Sequence, residues 1–458
     1  MAKSIAVRVK GKRDKMDMLL AKLQSTRPKD KNCTYEFTRS TKSILSRVKY
    51  VLKTGVESID VALGGGFAFG RVVEAYGLEG SGKSALVQRC AVQGQRREIY
   101  ERVKSTDGIV LERVSDKCEF FCVYIDNEQS LDDGDKVIID GTEIDALIGR
   151  CDTVDQMFKI IDTSIDTLLE STKDSPNPAF ILIVVDTIAG TSSKEEMAAK
   201  WEDTDYNRQP KQLRQGFRRM VRKINRANVC LVCTNQVSER FNGPKKKAYG
   251  SQLPSDDDFS SFGGRALKFY ASQRLFMFKL NANYKLNAES AFASGFSGCF
   301  VITKNRLAPP MRSGRFVVLF DAKHGGFNNL FGRLETMVAL KFVEYKGKDY
   351  KFRFSAAGIT TTTFTKRGGD DDDEGSGRGN PGIKSKEEWP AFVQAHKADV
   401  DALWAATIRS MFSDVSTPQD ADADADEVLD DEDIEDDDKK SATLAGAAIE
   451  AAAAVSED

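Results

Sequence analysis

The stretch GLEGSGKSALVQ, residues 77–88, limits what this chain can fold into more than any other. Gly77, Gly82, Lys83 and Ser84 match G-x-x-x-x-G-K-[ST] in full. An apolar run, Val72 to Tyr76, precedes the match, and a helical run follows from Ala85. Glycines let backbone N–H groups converge on phosphate oxygens, and the helix N-terminus adds its positive end. Lys83 is then set to reach the outer phosphates of a nucleotide, with Ser84 on Mg²⁺. A glycine-rich turn matching by chance would lack those two flanks.

A strand entering such a turn calls for a sheet covered on both faces, and the rest of the chain supplies candidates. RVVEAYG, FFCVYID, FILIVVD and VCLVCTNQ are short β-branched and aromatic runs separated by helical segments, the pattern of a parallel α/β sheet. QRLFMFKL, GCFVITK and RFVVLFD follow at closer spacing, too close for crossover helices, so they are expected to extend the sheet in antiparallel fashion. Asp186 ends FILIVVD, the form of a buried strand that delivers one acid to a metal. Glu128 follows FFCVYID on a strand of its own, where a carboxylate can take a proton from a water attacking a γ-phosphate. Of the acids flanking it, Asp126 reads as a surface carboxylate.

Charge divides the chain. Residues 419–458 hold 16 acids and two lysines, leaving 53 acids against 65 lysines and arginines in the body. The body is therefore about +12 and the tail about −14, which suggests a polyanionic partner and a tail that competes with it. The eight cysteines read as reduced core thiols: Cys230 and Cys233 frame CLVC inside an apolar run, and two histidines leave no zinc set. With no apolar run of membrane-spanning length and no secretory start, the expectation is a cytoplasmic protein without a membrane partner. Four regions are expected: an N-terminal helix with linker over 1–49, a core over 50–335, a small C-terminal α/β domain over 336–417 interrupted by an acidic loop at 365–382, and a disordered acidic tail over 418–458. Met16, Leu19, Leu20 and Leu23 carry the first helix; Trp389, Phe392, Leu403, Trp404 and Met411 are the packing residues of the C-terminal region.

In this order the motifs resemble the RecA family of DNA recombinases, in its bacterial and phage-type branch. TGVESIDVALGGGFAFGRVVEAYGLEGSGKS, YIDNEQSLD, VVDTIAG, TNQV, GGRALKFYASQR and VITKNRLAPP each resemble a family segment, over about residues 50–335. The resemblance implies a RecA-type P-loop ATPase core with a mostly parallel central sheet, an N-terminal helix and a small C-terminal α/β domain. It implies that Glu79, Gly80, Ser81, Gly82, Lys83 and Ser84 wrap the triphosphate of ATP, with Asp132 near the adenine. Glu128 would activate water and Gln236 would sense the γ-phosphate. Lys304 and Arg306 would reach ATP on a neighbouring protomer, with Lys268, Phe269 and Arg274 at the same interface; on its own, Phe269 reads as a core aromatic. The family has lysine where Arg306 stands. About twenty extra residues separate Lys83 from Glu128, and DDGDKVII lacks the family's adenine-side aromatic.

Lys211, Arg214 and Arg218 fall on one helix face and match the family's first DNA-contacting region. Residues 238–263 form a long Gly/Ser/Pro-rich loop in which Lys245, Lys246, Lys247 and Tyr249 supply charge and a stacking ring for an unpaired strand. The implied activity is ATP-timed assembly of a helical homo-oligomer on single-stranded DNA, followed by pairing with homologous double-stranded DNA. Two alternatives stay open: a ring-forming motor such as a helicase, and a single-strand-binding module that does not hydrolyse ATP.

Overall fold

The computed structural model describes Met18 and residues 48–105, 108–128, 138–139, 141–198, 208–239, 259–286, 291–320, 326–346, 349–354 and 382–410. The expected N-terminal helix (Met18 aside), acidic loop (Gly382 aside, which begins a strand) and acidic tail lie outside them, as does Met411. The elements begin β1 Tyr50–Leu52, α1 Glu57–Leu63, β2 Phe67–Ala68, β3 Arg71–Gly77, α2 Lys83–Gln95, β4 Ile99–Ser105, β5 Gly108–Arg113 and β6 Glu119–Asp126. Next come β7 Ile138–Ile139, β8 Thr142–Glu143, β9 Leu147–Gly149, α3 Val154–Ser171, β10 Ala179–Asp186, α4 Lys194–Ala198, α5 Arg208–Arg226 and β11 Val229–Glu239. Then follow β12 Phe259–Ser261, α6 Ala266–Tyr270, β13 Gln273–Tyr284, β14 Gly295–Asn305, β15 Ser313–Leu319, β16 Gly326–Phe327 and α7 Asn329–Ala339. β17 Val343–Lys346, β18 Asp349–Phe352, β19 Gly382–Ile383, α8 Trp389–Ala395 and α9 Lys397–Ser410 complete the order.

The main sheet runs β16-β15-β14-β13-β3-β11-β10-β6-β9, with β12 paired to β11. β13, β3, β11, β10, β6 and β9 are parallel, so the centre is a sheet with both faces covered, as the continuous apolar runs require. β14, β15 and β16 add antiparallel at one end. One expectation is corrected: QRLFMFKL lies in β13, which pairs parallel to β3, and the antiparallel extension begins only at β14. The chain needs no hairpin here because α6 and the turn before it carry it back to the starting edge of β3.

Strand alternation sends each residue to one of two cores. Leu182 and Val184 of β10 pack with Leu86, Val87, Cys90 and Ala91 of α2. Ile181, Ile183 and Val185 face α3 and α5, where Met157, Ile161, Ile165, Leu213, Phe217 and Ile224 are buried. The same two-residue period carries Tyr124 of β6 and Asp186 of β10 to the α2 side, and this is what builds the site. Cys118, Cys122, Cys230 and Cys233 are buried free thiols, as expected.

The segment between α2 and β6 forms a hairpin, β4–β5, which joins β1 and β2 in a separate sheet ordered β2-β1-β4-β5. Arg102 of the hairpin donates to the Leu307 carbonyl at 3.0 Å.

Beyond β15, α7 lays Leu334 and Met337 against Val317 and Leu319, and the three-stranded sheet β17-β18-β19 with α8 and α9 closes over Trp389, Val400, Leu403 and Trp404. Trp389 is fully buried, stacks on Phe352 at 5.4 Å, and donates its indole N–H to the Leu330 carbonyl at 2.8 Å. Trp389→Ala is expected to cost about 3–5 kcal/mol, combining lost burial with a cavity. Thermal melting checks this: a melting temperature within a degree of the parent would exclude that role. Among the described residues no helix is long and apolar enough to cross a membrane.

Candidate active site

β3 ends against β13 so closely that a Cβ on Gly77 would lie 1.9 Å from the Met277 carbonyl oxygen. Gly82, at φ +90°, then turns the chain into α2, a backbone shape that favours glycine. Ser81 Oγ donates to the Leu78 carbonyl at 2.8 Å and closes the loop. Lys83, 8 % exposed, donates its ammonium to the carbonyls of Gly77 at 3.1 Å and Leu78 at 2.9 Å. Burial draws its pKa below the usual lysine range, while Glu128, Asp186 and Glu79 pull it back up. A cation held by two loop carbonyls at the N-terminus of α2 suits a polyphosphate.

Three hydroxyls fix Asp186. Ser84 Oγ donates to its Oδ1 at 3.3 Å, Thr234 Oγ1 donates to the same oxygen, and Tyr124 donates to Oδ2 at 2.6 Å. One carboxylate and one serine hydroxyl are hard oxygen donors. They suit Mg²⁺, which takes one or two protein ligands and completes its shell with phosphate oxygens and water. No cluster of three or more His, Cys, Asp or Glu side chains able to hold a metal occurs among the described residues, in keeping with such a sparse site.

Glu128 stands just past the end of β6, held by its backbone N–H donating to the Asp186 carbonyl at 3.3 Å. Its neighbour Asn127 donates from its backbone N–H to the same carbonyl at 2.8 Å and from its side chain to the Thr187 carbonyl at 3.3 Å. Gln236, on β11, donates Nε2–H to Glu128 Oε1 at 2.9 Å. Two residues far apart in sequence thus meet beside the cradle. Asp126 is corrected from a surface acid to a fully buried one, because alternation turns it toward the α2 side with Tyr124.

The second group of predicted residues lies at the β13–β14 end. Lys304 donates to the carbonyls of Lys268 at 2.8 Å and Phe269 at 3.0 Å. Burial lowers its pKa to about 8, with Arg306 and Arg274 pushing the same way and Glu74 opposing them. Arg306 is exposed. Phe269 is 68 % exposed, against the core reading, because α6 is only five residues long and buries Ala266 and Leu267 instead. Arg274 lies inside this chain, 3 % exposed and ion-paired with Glu74, so only Lys268 and Phe269 of the interface set reach the surface.

On α5, Leu213, Phe217, Met220 and Ile224 point inward. Lys211, Arg214 and Arg218 lie at about 90–150° from the centre of that stripe by the 100° step of a helix, a basic ridge that runs from the half-buried flank at Arg214 to the outer side. Lys223 is set apart from the ridge: it pairs with Asp162 and, at 2.7 Å, Asp166 of α3. Asp132, Lys245, Lys246, Lys247 and Tyr249 lie outside the described residues. Sequence reading missed Tyr124 and Thr234, which orient Asp186. The available signal was alternation, since Tyr124 is two residues before Asp126 and Thr234 two after Val232.

A family model, RecA N-terminal domain, matches residues 39–324. The chain is similar to Protein RecA of Colwellia psychrerythraea, 30% identical over 303 residues that cover 65% of this chain and 73% of that protein. It is also similar to Protein RecA of Chlamydia felis, at 28% identity over 66% of this chain and 73% of the relative. Protein RecA of Chlamydia muridarum is 26% identical, over 66% of this chain and 72% of the relative. A parallel sheet delivering Asp186 and Glu128 to one glycine cradle, together with a family match across most of that sheet, makes this chain a member of the RecA family.

Proposed function

We propose that this protein is a DNA-dependent ATPase that assembles as a filament on single-stranded DNA and pairs the bound strand with a homologous duplex. The hydrogen bond between Gln236 and Glu128 carries the reading, because it puts a candidate base and a candidate sensor in one contact. Gly77 to Ser84 would hold the triphosphate of ATP, Lys83 would supply the cation for its outer oxygens, and Ser84 with Asp186 would hold Mg²⁺. Bound Mg²⁺ supplies charge neutralisation at the phosphate oxygens. Glu128 accepts the proton of the attacking water. Gln236, three residues before the end of β11, transmits the state of the nucleotide along the chain that follows it. Lys304 and Arg306 reach the nucleotide of an adjoining copy, so that assembly and nucleotide state are coupled and hydrolysis loosens the joint.

DNA is held through its phosphates by the α5 ridge, which contains no element for reading base edges, so specificity resides in base pairing. Replacing Lys211, Arg214 and Arg218 together by alanine is expected to weaken single-strand binding alike for all sequences. The slope of log affinity against log salt should flatten by about 2, at about 0.7 for each lost phosphate contact. Salt titrations with two unrelated oligonucleotides check it, and an unchanged slope would assign the ridge to solvent.

The deciding experiment mixes the full-length protein with a circular single strand and a homologous linear duplex, with and without ATP. ATP-dependent joint molecules are expected. Their absence, with ATP turnover intact, would favour a motor, and electron microscopy of the DNA complexes then separates ring from filament.

A further inference from the structure

Glu74 takes no part in the steps above, yet it is fully buried in the middle of β3, where an ionised carboxylate is costly without partners. It has two. Asn235 Nδ2 donates to Oε1 at 3.0 Å, and Arg274 Nε donates to Oε2. β3 lies between β11 and β13, and register places Glu74 level with Cys233 on one side and Arg274 on the other. One carboxylate therefore clasps both neighbouring strands.

Each strand leads to a residue of the proposed mechanism. On the β11 side, Asn235 precedes Gln236 and donates also to the Phe262 carbonyl at 2.9 Å, while the Phe262 N–H donates to the Gln236 carbonyl at 3.3 Å. On the β13 side, Arg274 is the register partner of Lys304. The Arg274 guanidinium lies 4.3 Å from the centre of the Tyr76 ring, and the Tyr76 hydroxyl shares a 2.7 Å hydrogen bond with Thr303, beside Lys304.

We infer that Glu74 is a positioning residue that ties Gln236 to Lys304, so that the nucleotide sensor of a subunit and the cation it offers to its neighbour are set together. This rests on the function proposed above. A carboxylate that merely held strands together would be replaceable by an apolar pair at little cost or with a gain. The charge has a further use: the charged groups acting on Lys304 are Arg306 next to its strand and Arg274 on β13, which depress its pKa, and Glu74 on β3, which raises it.

The test compares full-length parent, Glu74→Gln, and the neutral pair Glu74→Gln with Arg274→Gln. Single-strand affinity is measured with ATP and with ADP across pH 7 to 9. The parent is expected to bind more tightly with ATP. In Glu74→Gln the ATP-over-ADP ratio should fall by about tenfold. Its alkaline limb should move to lower pH, leaving about threefold less ATP-dependent binding at pH 8 than the ratio at pH 7 predicts. In the neutral pair, which also removes the opposing Arg274 charge, the limb should move back up while the ratio stays low. A parental ratio and an unmoved limb in the folded single variant would overturn the inference. Should that variant fail to fold, the neutral pair decides: a parental ratio overturns the inference and a low one supports it. A parent with no preference for ATP would instead overturn the proposed function itself.

Discussion

Glu128→Gln is expected to lower single-strand-stimulated phosphate release by about 10²- to 10⁴-fold, the usual contribution of a positioned general base. The amide is nearly the same size and keeps an oxygen to accept from Gln236 Nε2, so the 2.9 Å contact between base and sensor can persist. What it loses is the ability to take a proton from water. The cradle is untouched: Lys83 keeps its carbonyl partners, and Asp186 keeps Ser84, Thr234 and Tyr124. Binding of ATP and ATP-dependent binding of single-stranded DNA should therefore survive, and the complex should live longer because the reaction that loosens it is blocked. Phosphate release and fluorescence anisotropy, measured on one preparation, separate the two effects. Turnover within threefold of the parent would remove Glu128 as the base.

Much of this site could be read from the sequence because its parts are local. A glycine cradle needs its residues within one turn, and Asp186 or Glu128 at the end of an apolar run is visible as a charge closing a strand. The orienting shell is not local. Tyr124 and Thr234 meet Asp186 from two other strands, and only the order β11-β10-β6 brings them to one carboxylate. Burial misled the reading twice for one reason: composition around a residue does not say which face it takes. Asp126 looked solvated beside polar neighbours but alternates inward, and Phe269 looked like core on a helix too short to bury it. The direction of β13 was lost because QRLFMFKL was grouped with the two closely spaced runs after it, whereas the long segment between β11 and β13 lets β13 start beside β3 in the same sense. Glu74 was the overlooked sign, a lone acid inside RVVEAYG that no apolar strand tolerates without a partner.

Lys83→Ala should abolish nucleotide-dependent assembly while leaving the fold intact. Alanine favours the first turn of α2, and removing a mostly buried ammonium takes away a desolvation cost that already depresses its pKa. The exposed Leu78 can take water in place of the lost donor, while the buried Gly77 carbonyl gives up one hydrogen bond, a loss that the removed desolvation cost of the ammonium offsets. Melting temperature should therefore change little. The effect on the triphosphate is larger, because Lys83 is the cradle's own cation and its hydrogen bonds to phosphate are charge-assisted. Losing them should cost about 3 kcal/mol or more, about a hundredfold in affinity. Since Lys304 and Arg306 of the adjoining copy are proposed to bind the same nucleotide, weakened occupancy removes the joint as well as the substrate. Lys83→Arg distinguishes charge from shape: it keeps the cation but as a planar fork in place of a compact point charge, so partial binding without turnover is expected. Nucleotide titration, electron microscopy with single-stranded DNA and thermal melting together check the prediction. Filaments of parental length formed by the alanine variant with ATP would show that assembly does not depend on this cradle.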